Sequence, residues 1–478
     1  ITGDLSTISG VTHPVFHGFN YSPPEAPFPG WIRYGCYLNE KNTWWPYFKK
    51  FNDYKARLSA ILQQADMFAD IAILPPVADM WSIYGAQNEP FPSLFYPMHQ
   101  SLVWEAMHQN GNACDYISET VIRDAEMKGG QMLYGPRKYH SIFLIQVDSL
   151  EPATAQKLLS FVQNGGRIFC LDTIPNKSLG WYNYQQRDKE VQAAVQQMQT
   201  FTDRFIQLKR PEKEFIKWYK EIQTKYNLTP YVQISKPDPF VTQVRYQVKG
   251  AEMLFFTNSS LDDSHPINIT PGNELLKNRQ AWIWDPENGE RYKVTNPNKI
   301  TLDLGPADSV LIVFDNNKNG KAFTQKPTGN NSINAINNWT VEFQHINGTN
   351  TKTEMSSLKD LKDLPEFVSF SGTAIYRGNL NIADKSKTSF INLGKVYGVS
   401  EVFINGKNIG TQWYGRRIYP INEFLQNGNN TVEIRVVTTM GNYMKTLKNN
   451  AVAQYWTNEK RKDQPIQSMG LVGPVTIV

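Results

Sequence analysis

Cysteine is nearly absent. Cys36, Cys114 and Cys170 are the only three in 478 residues. An odd count at wide spacing offers no disulfide framework and no paired metal spacing. The residues read as inert thiols and leave the cellular compartment undecided. HExxH, a Cys/His cluster and an EF-hand loop are also missing, and Asp262-Asp263 on a turn is too little for a calcium site. Long apolar runs are lacking, and nothing approaches the roughly 18 residues of a membrane-spanning helix. Charge of one sign is scarce too. The net charge is +5, and the most basic stretch, LKRPEKEFIKWYK, mixes signs at helical spacing. That excludes a dense electrostatic footprint for nucleic acid. GxGxxG, P-loop and GxSxG motifs are absent, which removes the common dinucleotide, phosphate and serine-nucleophile chemistries. The chain opens Ile1-Thr2-Gly3 without a basic-plus-apolar leader, so any secretory signal would already have been removed.

What is abundant is aromatic side chains, 13% of the residues with 12 Trp and 23 Tyr. They concentrate at 15–45, VFHGFNYSPPEAPFPGWIRYGCYLNEKNTWW, where His17, Tyr21, Trp31, Tyr34, Tyr37, Trp44 and Trp45 share one segment. Pro23, Pro24, Pro27 and Pro29-Gly30 prevent helix there. The apolar run GVTHPVFHGF before it predicts a strand, and 47–68 predicts a helix, with Phe51, Tyr54, Leu58, Ile61, Leu62 and Ala65 three and four apart. The expectation is strand, aromatic loop, helix. Flat rings interleaved with Asn, Glu and His suit a sugar, the rings covering C–H faces and the polar groups meeting hydroxyls. The alternative is that the rings plug the end of a barrel, since aromatics are common core residues.

A closed (β/α)8 barrel needs about 250 residues, so residues 1–68 can be only its terminal part. From 69 to 235 short apolar strands (DIAILPP, YHSIFLIQVDSL, RIFCLDTIP) alternate with helical patterns. The segment PATAQKLLSFVQNGG has Pro152 in its first turn and Gly165-Gly166 as its stop. This alternation predicts a Rossmann- or flavodoxin-like parallel sheet covered on both faces. Its strand ends carry no recognisable motif, so it reads as structural. Residues 236–316 alternate with period two and turn at Lys249-Gly250 and Glu287-Asn288-Gly289, predicting a small β-sandwich. Residues 317–337 are Asn/Gly/Lys-rich and read as a linker. Residues 338–478, with regular short strands and Asn-Gly turns, predict a jelly-roll sandwich. The fold class expected is thus multidomain, α/β plus all-β.

Glycoside hydrolysis needs two carboxyl groups, about 5–5.5 Å apart for retention and about 6.5–9.5 Å for inversion. Glu25 and Glu40 are the candidates within the aromatic stretch, Glu40 beside Lys41, which would keep it ionised. They form no convincing pair. His17, Tyr21, Trp31, Tyr34, Asn42, Trp44 and Trp45 are the candidate substrate-binding residues. In the last module Trp413, Tyr414, Arg416 and Arg417 crowd one loop and Asn405 tops an Asn-Gly turn. That group either binds carbohydrate or packs against a neighbouring domain.

FSGTAIYRGNL, the long stretch INLGKVYGVSEVFINGKNIGTQWYGRRIYPINEFLQNGNNTVEIRV and MGLVGPV resemble the sugar-binding β-sandwich of family 2 glycoside hydrolases. HPVFHGFNYSPP, NTWW, NDYKARLSAILQQADMFADI, DSLEPATAQKLLSFVQNGGRI and WIWDPENGE are similar to the α-L-rhamnosidases of glycoside hydrolase family 106. The resemblance implies an inverting glycosidase with a Glu acid and a Glu base; the residues identify no cofactor, and Ca2+ enters by the family resemblance alone. It also implies bacterial breakdown of plant polysaccharide in the periplasm or outside the cell. It would put the two glutamates on barrel strands preceding His17, so the chain is expected to be a C-terminal part, inactive alone, whose partners are a carbohydrate substrate and a missing N-terminal barrel segment. A non-catalytic carbohydrate-binding or scaffold protein and a β-galactosidase-type hydrolase are the competing expectations.

Overall fold

The computed structural model describes residues 2–32, 37–84, 99–327, 333–334, 336, 338–459 and 464–478. Within these the chain is mixed α/β, with one parallel sheet and several antiparallel ones. A short helix Thr2–Ile8 leads into an irregular path through the aromatic stretch, followed by the helix Phe48–Leu62. The strand expected from GVTHPVFHGF does not form. An apolar run becomes a strand only when a neighbour takes its backbone hydrogen bonds, and the described residues place none beside it. The helix also stops at Leu62, six residues short of the sequence expectation, because Asp66–Met67 leaves as an edge strand antiparallel to Gln247 and Tyr246.

The five parallel strands are, in chain order, Ile71–Leu74, Cys114–Tyr116, Ser141–Ile145, Arg167–Leu171 and Phe205–Leu208. Across the sheet they lie second, first, third, fourth, fifth. Continuous apolar runs suit strands covered on both faces, and the side chains divide accordingly. Ala72, Leu74, Ile142, Leu144, Ile168 and Cys170 pack on one face with Leu158 and Val162 of the helix Pro152–Gln163 and Val191 and Met198 of Tyr184–Gln199. Ile71, Ile73, Phe143, Ile145, Phe169 and Leu171 pack on the other with Val103 and Met107 of His99–Gln109 and Tyr219 and Ile222 of Phe215–Lys225. Cys114 and Cys170 are buried, and burial raises both thiols, the opposite of what a reactive cysteine requires.

A six-stranded antiparallel sheet, ordered Asp66–Met67, Val241–Val248, Ala251–Asn258, Ser309–Asp315, Gln280–Trp284, Arg291–Lys293, packs one face on a three-stranded sheet of Val232–Ile234, His265–Pro271 and Ile300–Leu304. Its other face takes Tyr54, Leu58 and Leu62 of the helix Phe48–Leu62 against Val244, Tyr246, Phe255, Leu311 and Val313. The parallel-sheet layer is locked to this sandwich through His108, whose Nδ1 lies 2.8 Å from the Gln243 carbonyl. Gln243 in turn donates from Nε2 to the His108 carbonyl at 2.9 Å. Burial lowers the His108 pKa, so the ring is kept neutral in this joint.

The last module has a six-stranded antiparallel sheet, from Asn350–Met355 through Trp339–His345, Gly372–Ile382, Gly428–Val437 and Val399–Ile404 to Lys407–Gln412. A four-stranded sheet of Ile333–Asn334, Thr476–Ile477, Phe390–Asn392 and Ile418–Pro420 accompanies it, and Trp339, Tyr376, Ile391, Val402, Tyr419 and Ile434 share one core with the larger sheet. Asn405 and Gly406 have φ of 50° and 75°. Two consecutive left-handed residues make the hairpin turn that the Asn-Gly pair signals.

Candidate functional site

The aromatic stretch has a regular supporting frame despite its irregular backbone. Four short polar side chains hold it. Asn20 Oδ1 accepts from the Leu38 N–H at 3.2 Å, while the Asn20 N–H donates to the Leu38 carbonyl at 2.9 Å. Ser22 Oγ accepts from the Trp31 N–H at 2.9 Å. Asn39 Oδ1 accepts from the Lys41 N–H at 3.1 Å, and Asn42 Nδ2 donates to the Tyr37 carbonyl at 2.8 Å. Ser22, Asn39 and Asn42 are buried. Small amide and hydroxyl side chains substitute here for ladder hydrogen bonds, as buried backbone groups require.

Outside this frame stand the rings. Tyr21 is 69% exposed and Trp31 62%, and His17 is also exposed. Trp44 and Trp45 are half-buried and join a second group. Trp45 stacks on Phe48, 5.1 Å between centroids at 10°, and Phe19 meets Trp45 at 5.5 Å. Phe16 touches Phe48 at 5.9 Å and Phe51 at 5.5 Å. Phe16, Phe19, Phe48 and Phe51 were missed from sequence, where Phe48 and Phe51 read only as the start of an amphipathic helix. The signal was their three-residue spacing directly after Trp44-Trp45, which turns both onto the face that the tryptophans cover.

The candidate residues therefore divide. His17, Tyr21 and Trp31 present their side chains to solvent. Asn42 does not line a surface; its amide is spent on the Tyr37 carbonyl inside the loop. Tyr34 lies outside the described residues. Glu25 and Glu40 are both exposed. Lys41 Nζ donates to the Ala26 carbonyl at 2.6 Å. A backbone carbonyl fifteen residues earlier was not readable from adjacency in sequence.

The loop of the last module turns inward. Trp413 and Tyr414 are half-buried against Tyr54, at 6.4 and 6.1 Å between centroids. Arg416 Nη1 donates to Asp303 Oδ2 at 2.6 Å, and its Nη2 donates to the Pro327 carbonyl. Arg417 is buried, and burial lowers its pKa to about 10. Trp413, Tyr414 and Arg416 join the last module to the middle sandwich and to the helix Phe48–Leu62, while Arg417 donates within its own module to the Gly415 and Gly398 carbonyls. Asn405 is spent separately, with Nδ2 donating to Asn430 Oδ1 at 2.8 Å.

Beneath the junction sits a buried polar group that sequence reasoning missed. Lys55 Nζ donates to Asp4 Oδ1 at 2.7 Å, and both residues are buried. Tyr54 Oη lies 3.2 Å from Asp4 Oδ1 and 2.7 Å from Ser309 Oγ. Asp308 next door accepts from the Gly305 and Ser309 N–H groups at 3.0 and 2.8 Å, and burial raises its carboxyl to about 6. Burial raises Glu287 as well. The group anchors the helix that carries the aromatic cluster. Among the described residues no set of three or more His, Cys, Asp or Glu side chains is arranged to hold a metal. The calcium implied by resemblance thus meets no such acidic cluster among the described residues. Among them, too, no helix is long and apolar enough to cross a membrane.

A solved rhamnosidase from Novosphingobium sp. PP1Y is similar in fold, with a TM-score of 0.65 at 20% identity. The match covers 99% of this chain and 45% of that one. A curated protein of Formosa agariphila, provisionally named a beta-glucuronidase, is 24% identical over 324 residues, 66% of this chain and 25% of its own length. The chain therefore spans less than half of the solved rhamnosidase and a quarter of the curated relative. The model of glycoside hydrolase family 106, described as alpha-L-rhamnosidase, matches residues 1–297, more than half of the chain, which therefore belongs to that family.

Proposed function

We propose that this chain serves a glycosidase that removes α-L-rhamnose from plant-type oligo- or polysaccharide. The observation that carries the reading is the ring-bearing segment 15–45, which falls inside the matched residues 1–297. Tyr21 and Trp31 stand exposed on a frame of buried side chains, so little ordering entropy is lost when a sugar stacks on them. His17 offers a donor or acceptor for a hydroxyl. Terminal barrel, flavodoxin-like and jelly-roll architecture is the corresponding fold reading, and the periplasm or cell exterior is the proposed location.

The reaction proposed is inverting, with one carboxylic acid protonating the leaving oxygen and one carboxylate activating water across the ring. Glu25 and Glu40 are poor candidates for the acid. Both are exposed, whereas a general acid needs an environment that keeps its proton near neutrality. The pair is assigned to other carboxylates, and the segment's part is to hold and orient the sugar. The test is hydrolysis of aryl α-L-rhamnoside and aryl β-D-glucuronide by the 478-residue chain and by a longer natural form carrying it. The expected outcome is rhamnoside cleavage by the longer form and none by the chain alone. Turnover by the chain would return the acid–base role to Glu25 or Glu40. Cleavage of glucuronide alone would reject the rhamnosidase reading.

A further inference from the structure

A second set of exposed rings stands on the parallel-sheet layer. The loop leaving the carboxyl end of the strand Arg167–Leu171 runs to the helix Tyr184–Gln199 and carries SLGWYNY at 178–184. Trp181 is 86% exposed, Tyr182 80% and Tyr184 40%. Trp181 and Tyr184 meet edge to face at 5.5 Å.

This loop is tied down on every side. Asp188 Oδ1 accepts from the Ser178 N–H at 2.6 Å and from Ser178 Oγ at 2.8 Å, which holds the Asp188 carboxyl below its ordinary value. Arg187 donates from Nη1 to the Leu179 carbonyl at 2.6 Å and from Nη2 to Glu151 Oε2 at 2.5 Å. The Leu150 N–H donates to the Lys177 carbonyl at 3.0 Å, fixing the upstream arm. A loop free to move could fold its rings onto the protein and recover apolar burial; this one is held so that they face water.

Around the rings, Asn176, Asn183, Gln185 and Gln186 are all exposed. Three rings bury at most about 150–250 Å² each, which falls short of the roughly 800 Å² per partner of a standard protein interface. A small apolar island in an amide rim instead fits a pyranose chain: C–H faces on the rings, hydroxyls on the amides.

We propose that Trp181, Tyr182 and Tyr184 form a carbohydrate-binding surface that holds a polysaccharide chain by ring stacking. The proposal rests on the carbohydrate reading above but not on the segment 15–45. The test is native gel electrophoresis of the full chain through a soluble rhamnose-bearing polysaccharide. The wild-type chain is expected to be retarded. Trp181→Ala/Tyr182→Ala should weaken the apparent affinity by about tenfold, the size of one aromatic stacking contact, and Trp181→Phe should keep part of it. Retardation unchanged in the double variant but lost in Trp31→Ala overturns this proposal and leaves the proposed function standing. No retardation of the wild-type chain overturns it as well, whereas rhamnoside cleavage by the longer form tests the proposed function independently. Concentration-dependent self-association in sedimentation, abolished by Trp181→Ala, would assign the rings to a second copy and also overturn it.

Discussion

Replacing Lys55 by Met tests whether the buried polar group fixes the helix Phe48–Leu62 in place. Lys55 is 4% exposed and Asp4 6%, and the 2.7 Å contact joins the first helix to the second. Methionine keeps most of the side-chain volume and removes the charge, leaving the Asp4 carboxylate buried without its cation and with the Tyr54 hydroxyl 3.2 Å away. Losing one partner of a buried ion pair costs about 3–5 kcal/mol, whereas removing both is often close to neutral. Several modules are present, so a single global unfolding energy is poorly defined. Native-state hydrogen exchange on the amides of 48–62 reports the local opening instead. At about 1.4 kcal/mol per factor of ten, protection should fall by more than about a hundredfold in Lys55→Met. It should largely return in Asp4→Asn/Lys55→Met. Protection within about tenfold of wild type in the single variant, or no recovery in the double, would show that the ion pair does not hold the helix.

Trp31→Ala should change stability by less than about 0.5 kcal/mol, as for an exposed side chain, yet weaken the sugar binding proposed for the segment 15–45. Trp45→Ala should lower Tm, because it removes the stack on Phe48 and the contact to Phe19; equal effects of the two on Tm would contradict the division between exposed and supporting rings. Gly111 has φ of 86°, and an added Cβ would lie 1.8 Å from the Val232 carbonyl oxygen. Gly111→Ala should therefore cost at least about 1–3 kcal/mol in chemical denaturation of the joint between parallel sheet and sandwich. Asp308 has its carboxyl raised from 3.8 to about 6 by burial. The folded state thus binds this proton more tightly than the unfolded one. Its contribution is most favourable below about pH 4, declines as pH rises through 6 and is flat above. Asp308→Asn should flatten the dependence of Tm on pH between 4 and 6, and an unchanged slope would remove Asp308 as its source.

Local signals were legible where they are self-sufficient. Pro152 in the first turn and Gly165 after the last, with a φ of 100°, mark the ends of the helix Pro152–Gln163. Apolar runs such as SIFLI read as strands buried on both faces, and Asn405-Gly406 as a hairpin turn. What failed depended on distant partners. GVTHPVFHGF has strand composition but no neighbour among the described residues to pair with, and composition does not record that. WYGRR presents the same side chains whether it faces solvent or a neighbour. Only Tyr54 and Asp303, brought to it by the fold, settle its direction. Asn42 looked like a sugar contact for a similar reason, because an amide's partner is fixed by backbone geometry and not by the residues beside it.

The ring segment and the residues just after it are stitched to the last module. Thr43 Oγ1 donates to the Thr438 carbonyl, Tyr47 Oη donates to Glu401 Oε2 at 3.0 Å, and Asn450 Nδ2 donates to the Phe28 carbonyl. Anyone trimming this polypeptide as though its tail were a detachable accessory would pull the floor from under Phe28 and Thr43. Grafts and chimaeras must carry both ends together.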